Sequence, residues 1–109
     1  MIRVKIDRQS HDRTIRSFSV SGHADFAEPG KDIVCAGVSA VTVGTVNAVE
    51  AVLGISLENT MDKGLLKVTV PDHLDAEKRE KMQLLLESMI VMLESIKESY
   101  GKYIEIKSN

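Results

Sequence analysis

Cys35, the only cysteine of the chain, and His23, twelve residues before it, are the side chains best suited to covalent chemistry. A thiolate attacks carbonyl carbon, and an imidazole can hold the thiol proton and deliver it to a leaving amine. Cys35 lies where a loop is predicted to give way to a long apolar helix, and the unpaired N–H groups of a helix start favour a thiolate. The pair therefore predicts a cysteine hydrolase site, with Cys35 as nucleophile and His23 as general base and acid.

Groups close to Cys35 in the sequence would support this chemistry. The backbone N–H groups of Cys35 and Ala36, at the helix start, would lie near a developing oxyanion. Asp32 would orient His23 or cap the helix, and the two roles do not exclude each other. Ser39 lies one turn past Cys35, so its hydroxyl would touch the thiol or the loop, or bond to its own helix.

Two other interpretations of the same residues stay open. A lone cysteine is often a small core residue, and the protein would then be a binding module that uses its loop for recognition. Alternatively, His23 and Cys35 would bind a metal with Asp25 or Asp32, but the chain has no second cysteine and no closely spaced ligand pair. We therefore expect no metal and no cofactor, and either aspartate remains a candidate third member of the catalytic group.

The composition is that of an ordinary globular protein of 109 residues, 43% hydrophobic and 28% charged, with a formal net charge of −2. The length predicts one domain over residues 1–109. The lack of a basic excess argues against direct binding to nucleic acid. A single cysteine excludes a disulfide within the chain and suits the reducing cytoplasm. The apolar stretch 33–57 contains Asn47 and Glu50, which favours a buried helix over a membrane span.

Hydrophobic periodicity predicts seven elements in the order β-β-α-β-β-α-β. The first strand alternates Ile2, Val4 and Ile6 with charged residues. The later elements are expected at Thr14–Ser21, Cys35–Leu53, Ile55–Thr60, Leu65–Val70, Asp75–Tyr100 and Tyr103–Lys107, with a turn at 61–64. Adjacent hairpins predict a two-layer α+β domain, in which both helices pack on a mostly antiparallel sheet.

Two further features concern the loop and the first helix. The irregular stretch from Gly22 to Asp32 is long for a connection and contains the turn signal Pro29-Gly30. In the first helix, small residues recur every four positions, at Ala36, Ala40, Gly44 and Ala48. We expect this stripe to pack closely on the sheet or on the second helix.

The segment 22–24 (Gly-His-Ala) and the run 30–40 (Gly-Lys-Asp-Ile-Val-Cys-Ala-Gly-Val-Ser-Ala) closely resemble the signature of the ribosomal-processing cysteine protease Prp family. The likeness extends over nearly the whole chain in length and element order, with no departure at the motif positions. The half of the chain after Gly54 is generic and adds little to the resemblance.

The resemblance implies a small cytoplasmic endopeptidase that removes the short N-terminal extension of a large-subunit ribosomal protein, a step needed for ribosome maturation. The cut would fall just after a motif with adjacent phenylalanines. The family's catalytic histidine corresponds to His23 and its nucleophile to Cys35, and the protein would be a homodimer. The alternative is a non-catalytic, ribosome-associated binding module in which Cys35 is a core residue.

The loop between the two catalytic positions would then contact substrate, through Gly22, Ala24, Phe26, Pro29 and Gly30. Phe26 would line an apolar specificity pocket or anchor the loop on the core, and the pattern does not assign that pocket to particular residues. No membrane contact and no direct contact with nucleic acid are expected.

Overall fold

The chain folds into a five-stranded sheet and two helices, in the order expected from the sequence. A computed structural model describes all residues, 1–109. The elements are β1 (Ile2–Arg8), β2 (Ile15–Ser21), α1 (Ile33–Leu53), β3 (Glu58–Asp62), β4 (Leu65–Thr69), α2 (Ala76–Tyr100) and β5 (Ile104–Ser108).

The strands lie in the order β3-β4-β2-β1-β5, and only β1 and β5 are parallel neighbours. α2 carries the chain from β4 to the far edge of the sheet, where β5 runs in the same direction as β1, and such parallel neighbours need a long connection of this kind. The architecture confirms the predicted α+β fold with a mostly antiparallel sheet.

The core lies between the sheet and the two helices. The register places Ile6, Phe18 and Val68 side by side across β1, β2 and β4, and all three are buried. Apolar side chains of the helices cover this surface, namely Val34, Val38 and Val49 from α1 and Met82, Leu86, Met89 and Leu93 from α2. The opposite face of each helix stays in contact with solvent.

The small-residue stripe of α1 was predicted to be packed, and this prediction is wrong, because Ala36, Ala40 and Gly44 are exposed. Larger side chains of the same helix, among them Val38 and Val49, face the sheet instead. The row of small residues and the row of valines have nearly the same spacing along α1, so the spacing does not say which row is buried. The valines are buried because burying valine removes more apolar surface from water than burying alanine. α1 is long and apolar enough to cross a membrane by length and composition alone, but one side of it packs on the sheet and on α2.

Strand β3 begins three residues later than predicted, at residue 58 rather than 55. Gly54 ends α1 with a φ of 67°, and the linker 55–57 buries Leu57 before pairing with β4 can start. The hairpin turn is also shorter than expected, because Lys63 and Gly64 alone connect β3 to β4. The other boundaries lie within two residues of the prediction, and several coincide with it.

Replacing Leu86 by alanine tests this core. Leu86 is fully buried on α2, so Leu86→Ala should lower the free energy of unfolding by about 2–5 kcal/mol. Leu84 of the same helix is 66% exposed, so Leu84→Ala should change the free energy of unfolding by no more than about 0.5 kcal/mol. Urea denaturation measures both variants, and equal effects would contradict the assignment of the buried face.

Candidate active site

Three segments bring Cys35 and His23 together: the end of β2, the start of α1 and the turn between β3 and β4. The N–H of Gly22 donates to the Gly64 carbonyl at 2.9 Å and fixes the end of β2 against that turn. Gly22 has a φ of 85°, and a Cβ there would lie 2.5 Å from the carbonyl oxygen of Met1. Only glycine fits, and the chain therefore leaves β2 in the direction that presents His23 beside the turn.

The carboxylate of Asp32 joins the loop to the helix. Its Oδ1 accepts the N–H groups of Val34 and Cys35, both at 3.0 Å, and so caps α1, which begins at Ile33, two residues before the predicted start. Its Oδ2 accepts the loop N–H groups of Phe26, at 3.0 Å, and Ala27, at 3.3 Å. Capping is thus the role that Asp32 plays, and the same group holds the loop in place.

These hydrogen bonds lower the pKa of Asp32. The N–H of Cys35 lowers the pKa most, burial is the next largest effect and raises it, and the N–H groups of Ala27, Phe26 and Val34 lower it further. Because the pKa in the folded protein lies below the unfolded value of about 3.9, the ionised carboxylate stabilises the native loop above that value. This contribution is lost as the pH falls through the folded pKa.

The thiol of Cys35 lies in the first turn of α1 and is half-buried. The backbone N–H of Ala24 donates to Sγ at 3.3 Å. The Ala24 methyl is 3% exposed and belongs to the core, so this peptide group is held firmly. The positive end of the helix dipole also lies close to Sγ. An N–H donor and the start of a helix thus lie beside the sulfur.

The imidazole of His23 is exposed and lies against Gly64. A Cβ on Gly64 would lie 3.0 Å from Nε2 of His23, and Gly64 has a φ of 74°, so both sterics and backbone favour glycine. His23 and Cys35 line the same cleft, but no hydrogen bond joins the imidazole to Sγ in the free protein. Catalytic hydrogen bonds often form only when substrate binds.

The shared cleft has a volume of about 250 Å³ and largely apolar walls. Val38 and Val43 come from α1, and Met61 and Leu65 come from the β3–β4 hairpin. Met61 is 60% exposed, so this wall is accessible to a ligand. A wider opening of about 690 Å³ also contains both His23 and Cys35 and is bordered by the loop segment 29–33. An extended peptide could pass Sγ along these two openings.

Other predicted side chains lie near the site without joining its hydrogen bonds. Ser39 lines both openings, and its hydroxyl bonds neither to the thiol nor to its own helix. Asp25, at a φ of 57°, pairs with the N-terminal ammonium at 3.9 Å, and neither Asp25 nor Asp32 bonds to His23. No three His, Cys, Asp or Glu side chains cluster in a way that could hold a metal ion.

The loop is anchored by Phe26. Its ring contacts Tyr100 and Tyr103 edge to face, with centroid distances of 5.7 and 5.2 Å, and it lines neither opening beside Cys35. Of the two roles considered for Phe26, the structure therefore shows the anchor. Pro29 and Gly30 form the centre of a turn closed by a 2.9 Å backbone hydrogen bond, and Gly30 has the positive φ, 85°, that its third position favours.

The N–H groups expected to hold an oxyanion are both occupied in this conformation. That of Cys35 donates to Oδ1 of Asp32 at 3.0 Å, and that of Ala36 donates to the Asp32 carbonyl at 3.0 Å. Both bonds belong to the first turn of α1 and its cap. An oxyanion role for these two groups would require the cap to open.

The sequence pattern missed the contribution of the β3–β4 hairpin. Met61, Gly64 and Leu65 lie in the half of the chain that was judged generic, yet they border the cleft and support His23. The available signal was a glycine in a short turn that has apolar residues, Met61 and Leu65, on either side of it. It did not reveal that the turn lies beside Gly22, which depends on pairing between β2 and β4.

Comparison with known proteins shows the family of the chain. The family model described as cysteine protease Prp matches residues 1–105. The chain is 47% identical to the ribosomal processing cysteine protease Prp of Bacillus subtilis, over 94% of this chain and 93% of the relative. It is 37% identical to the Staphylococcus aureus protein of the same name, over 80% of each chain.

Solved structures show the same fold with peptide bound. The S. aureus ribosomal processing protease Prp in complex with a covalently linked product peptide superposes with a TM-score of 0.89, at 33% identity over 100% of both chains. The same S. aureus protease with a substrate peptide gives a TM-score of 0.84 at 32% identity. The fold and the site thus define a cysteine protease. The chain belongs to the Prp family of these enzymes.

Substitutions of Asp32 separate its two roles. Asparagine caps helices as well as aspartate does, but its amide nitrogen cannot accept the N–H groups of Phe26 and Ala27. We expect Asp32→Asn to keep the helix start and to speed hydrogen exchange at both loop amides, while Asp32→Ala also loosens α1. Peptide turnover should fall in both variants, on the order of 10²-fold.

The pH dependence supplies the control for this prediction. In the native chain, exchange at the Phe26 and Ala27 amides should rise as the pH falls below about 4, after correction for the intrinsic rate. In Asp32→Asn this additional rise should be absent. Loop amides that are equally protected in the native chain and in Asp32→Asn would contradict the role assigned to the carboxylate.

Proposed function

We propose that this cysteine protease removes the N-terminal extension of a large-subunit ribosomal protein and cuts just after a motif with paired phenylalanines. The observation that carries the proposal is the shared cleft, in which a half-buried thiol and an exposed imidazole meet beside an apolar wall. Two of its relatives carry the name ribosomal processing cysteine protease. In this proposal residues 1–109 act as one catalytic domain in the cytoplasm.

In the proposed mechanism His23 accepts the proton of the Cys35 thiol, and the thiolate attacks the scissile carbonyl carbon. The S–C bond forms as the carbonyl π electrons move to oxygen. Collapse of this intermediate breaks the C–N bond, and His23 gives its proton to the departing amine, which is the new N-terminus. Water, deprotonated by His23, then attacks the thioester, the S–C bond breaks, and the thiol regains its proton.

The apolar walls of the cleft support an aromatic substrate. A phenylalanine side chain gains free energy by leaving water, and Met61 and Leu65 offer it exposed apolar surface, with Val43 on the helix side. Methionine adapts its shape and makes favourable contacts with aromatic rings. The hairpin wall is therefore the part of the site proposed to recognise the phenylalanines.

The alternative of a binding module with a core cysteine has less support. Cys35 packs against the core but is only half-buried, and its sulfur faces a cleft that also contains His23. A cysteine that merely filled the core would have no need of a histidine at the same opening. The family membership favours the catalytic role as well.

A homodimer is proposed from the family resemblance. The exposed row Ala36, Ala40 and Gly44 carries no charge and would let a helix of a second copy approach closely. A Cβ on Gly44 meets nothing within 4 Å in the monomer, so a larger residue there is tolerated by the fold itself. The outer face of α2, which includes Ser88, is the second surface to be tested.

A cleavage assay tests the proposed activity. A peptide that spans such an extension, with its paired phenylalanines, should be cut once, directly after the motif, as read by mass spectrometry. Cys35→Ala and His23→Ala should each reduce cleavage on the order of 10³-fold or more. His73→Ala, at an exposed histidine outside the cleft, should cleave normally. No cut by the folded native chain would refute the proposed substrate.

Sedimentation equilibrium tests the dimer. We expect the native chain to sediment as two copies and Gly44→Glu to sediment as one, because burying unpaired carboxylates between helices is costly. Ser88→Glu, on the outer face of α2, should leave the dimer intact. Dissociation by Ser88→Glu alone would move the interface to α2, and a monomeric native chain would refute the dimer.

A further inference from the structure

Among the backbone N–H groups of the site, only that of Ala24 donates to Sγ of Cys35, at 3.3 Å. A nucleophile at a helix start is ordinarily served by N–H groups of the helix itself, but here those of Cys35 and Ala36 donate to Asp32 at 3.0 Å each. The hydrogen-bond donor for the reaction must therefore come from outside the helix.

We propose that the backbone N–H of Ala24 is a catalytic group, which binds the thiolate first and the oxyanion of the tetrahedral intermediate next. The inference rests on the peptidase activity proposed above. It assigns to the loop, rather than to the helix, the electrostatic stabilisation that usually lowers the barrier most in acyl transfer.

The direction of this N–H is fixed by the residues around it. The Ala24 side chain is 3% exposed and packs in the core, although His23 and Asp25 on either side are exposed. Gly22 and Asp25 have positive φ values of 85° and 57°. A buried methyl between two unusual backbone conformations leaves the peptide group little freedom, and such conformations persist where the surroundings over-determine them.

The chemistry explains why one donor can serve both states. As the Sγ lone pair becomes the S–C bond, the negative charge moves from sulfur to the carbonyl oxygen. That oxygen is attached to the carbon that sulfur has attacked, so only one atom separates the two charged positions. The Ala24 N–H, which points at Sγ, therefore lies close enough to donate to the oxyanion once the charge has moved there.

Semisynthesis provides the test, because Cys35 is the only cysteine and lies at a suitable junction. Segments 1–34 and 35–109 are joined by native chemical ligation, with Ala24 replaced by lactic acid so that an ester oxygen stands in place of the N–H. The matched control replaces Phe26 by phenyllactic acid, which removes a loop N–H that donates to Asp32 instead of Sγ. An all-amide chain made in the same way is the reference, and thermal melting compares the folding of all three.

For the Ala24 ester we expect kcat to fall between about 10²- and 10³-fold with KM unchanged. The Phe26 ester removes one of the two loop N–H groups that Asp32 holds, so its kcat should fall by no more than about 10-fold. Equal losses in both esters, a loss carried by KM, or no loss at Ala24 would overturn the proposal while the proposed function stands. No cleavage by the folded all-amide reference would instead remove the proposed function and, with it, the basis of this inference.

A second measurement does not depend on the folding of the ester. A peptide aldehyde that ends in the phenylalanine motif forms a hemithioacetal with Cys35 in the native chain. The Ala24 amide proton, observed by NMR in ¹⁵N-labelled protein, should move downfield when this adduct forms. An unchanged Ala24 resonance, with the adduct verified by mass spectrometry, would overturn the proposal.

Discussion

The carboxylate of Asp32 is the contact on which the active-site loop depends. It accepts four backbone N–H groups, two from the first turn of α1 and two from the loop. One side chain thereby sets where the helix begins and how the loop folds back beside it. The same arrangement uses the helix N–H of Cys35 for structure, so the chemistry has to draw on other donors.

The remaining geometry of the site is set by backbone rather than by side chains. Gly22 ends β2 against the carbonyl of Met1, and Gly64 leaves room for the His23 imidazole. Ala24 turns its methyl into the core and its N–H toward Sγ. The thiol and the imidazole are thus brought to one cleft without a side-chain hydrogen bond to either of them. Small residues therefore carry much of the positioning in a chain of modest core size.

Much of this protein could be predicted from its sequence, because alternation in the strands and the spacing of large apolar residues in α2 are local signals. The element order and the fold class follow from these signals, as does the proximity of Cys35 to a helix start. The buried side of α1 could not be predicted, since two rows of residues share one spacing. Contacts of the hairpin with the loop were also out of reach, because β2 and β4 are far apart in sequence and their pairing brings Gly64 beside Gly22.

The cleft takes its two sides from different parts of the chain. The side that carries Cys35 is bound to Asp32 and to the core, whereas Met61 and Leu65 project from a short hairpin at the edge of the sheet. Substitutions at these two positions change the shape of the cleft without displacing Sγ. Under the proposed recognition of substrate, a change at Met61 or Leu65 would therefore alter which peptides the protein accepts, while the surroundings of Cys35 stay the same.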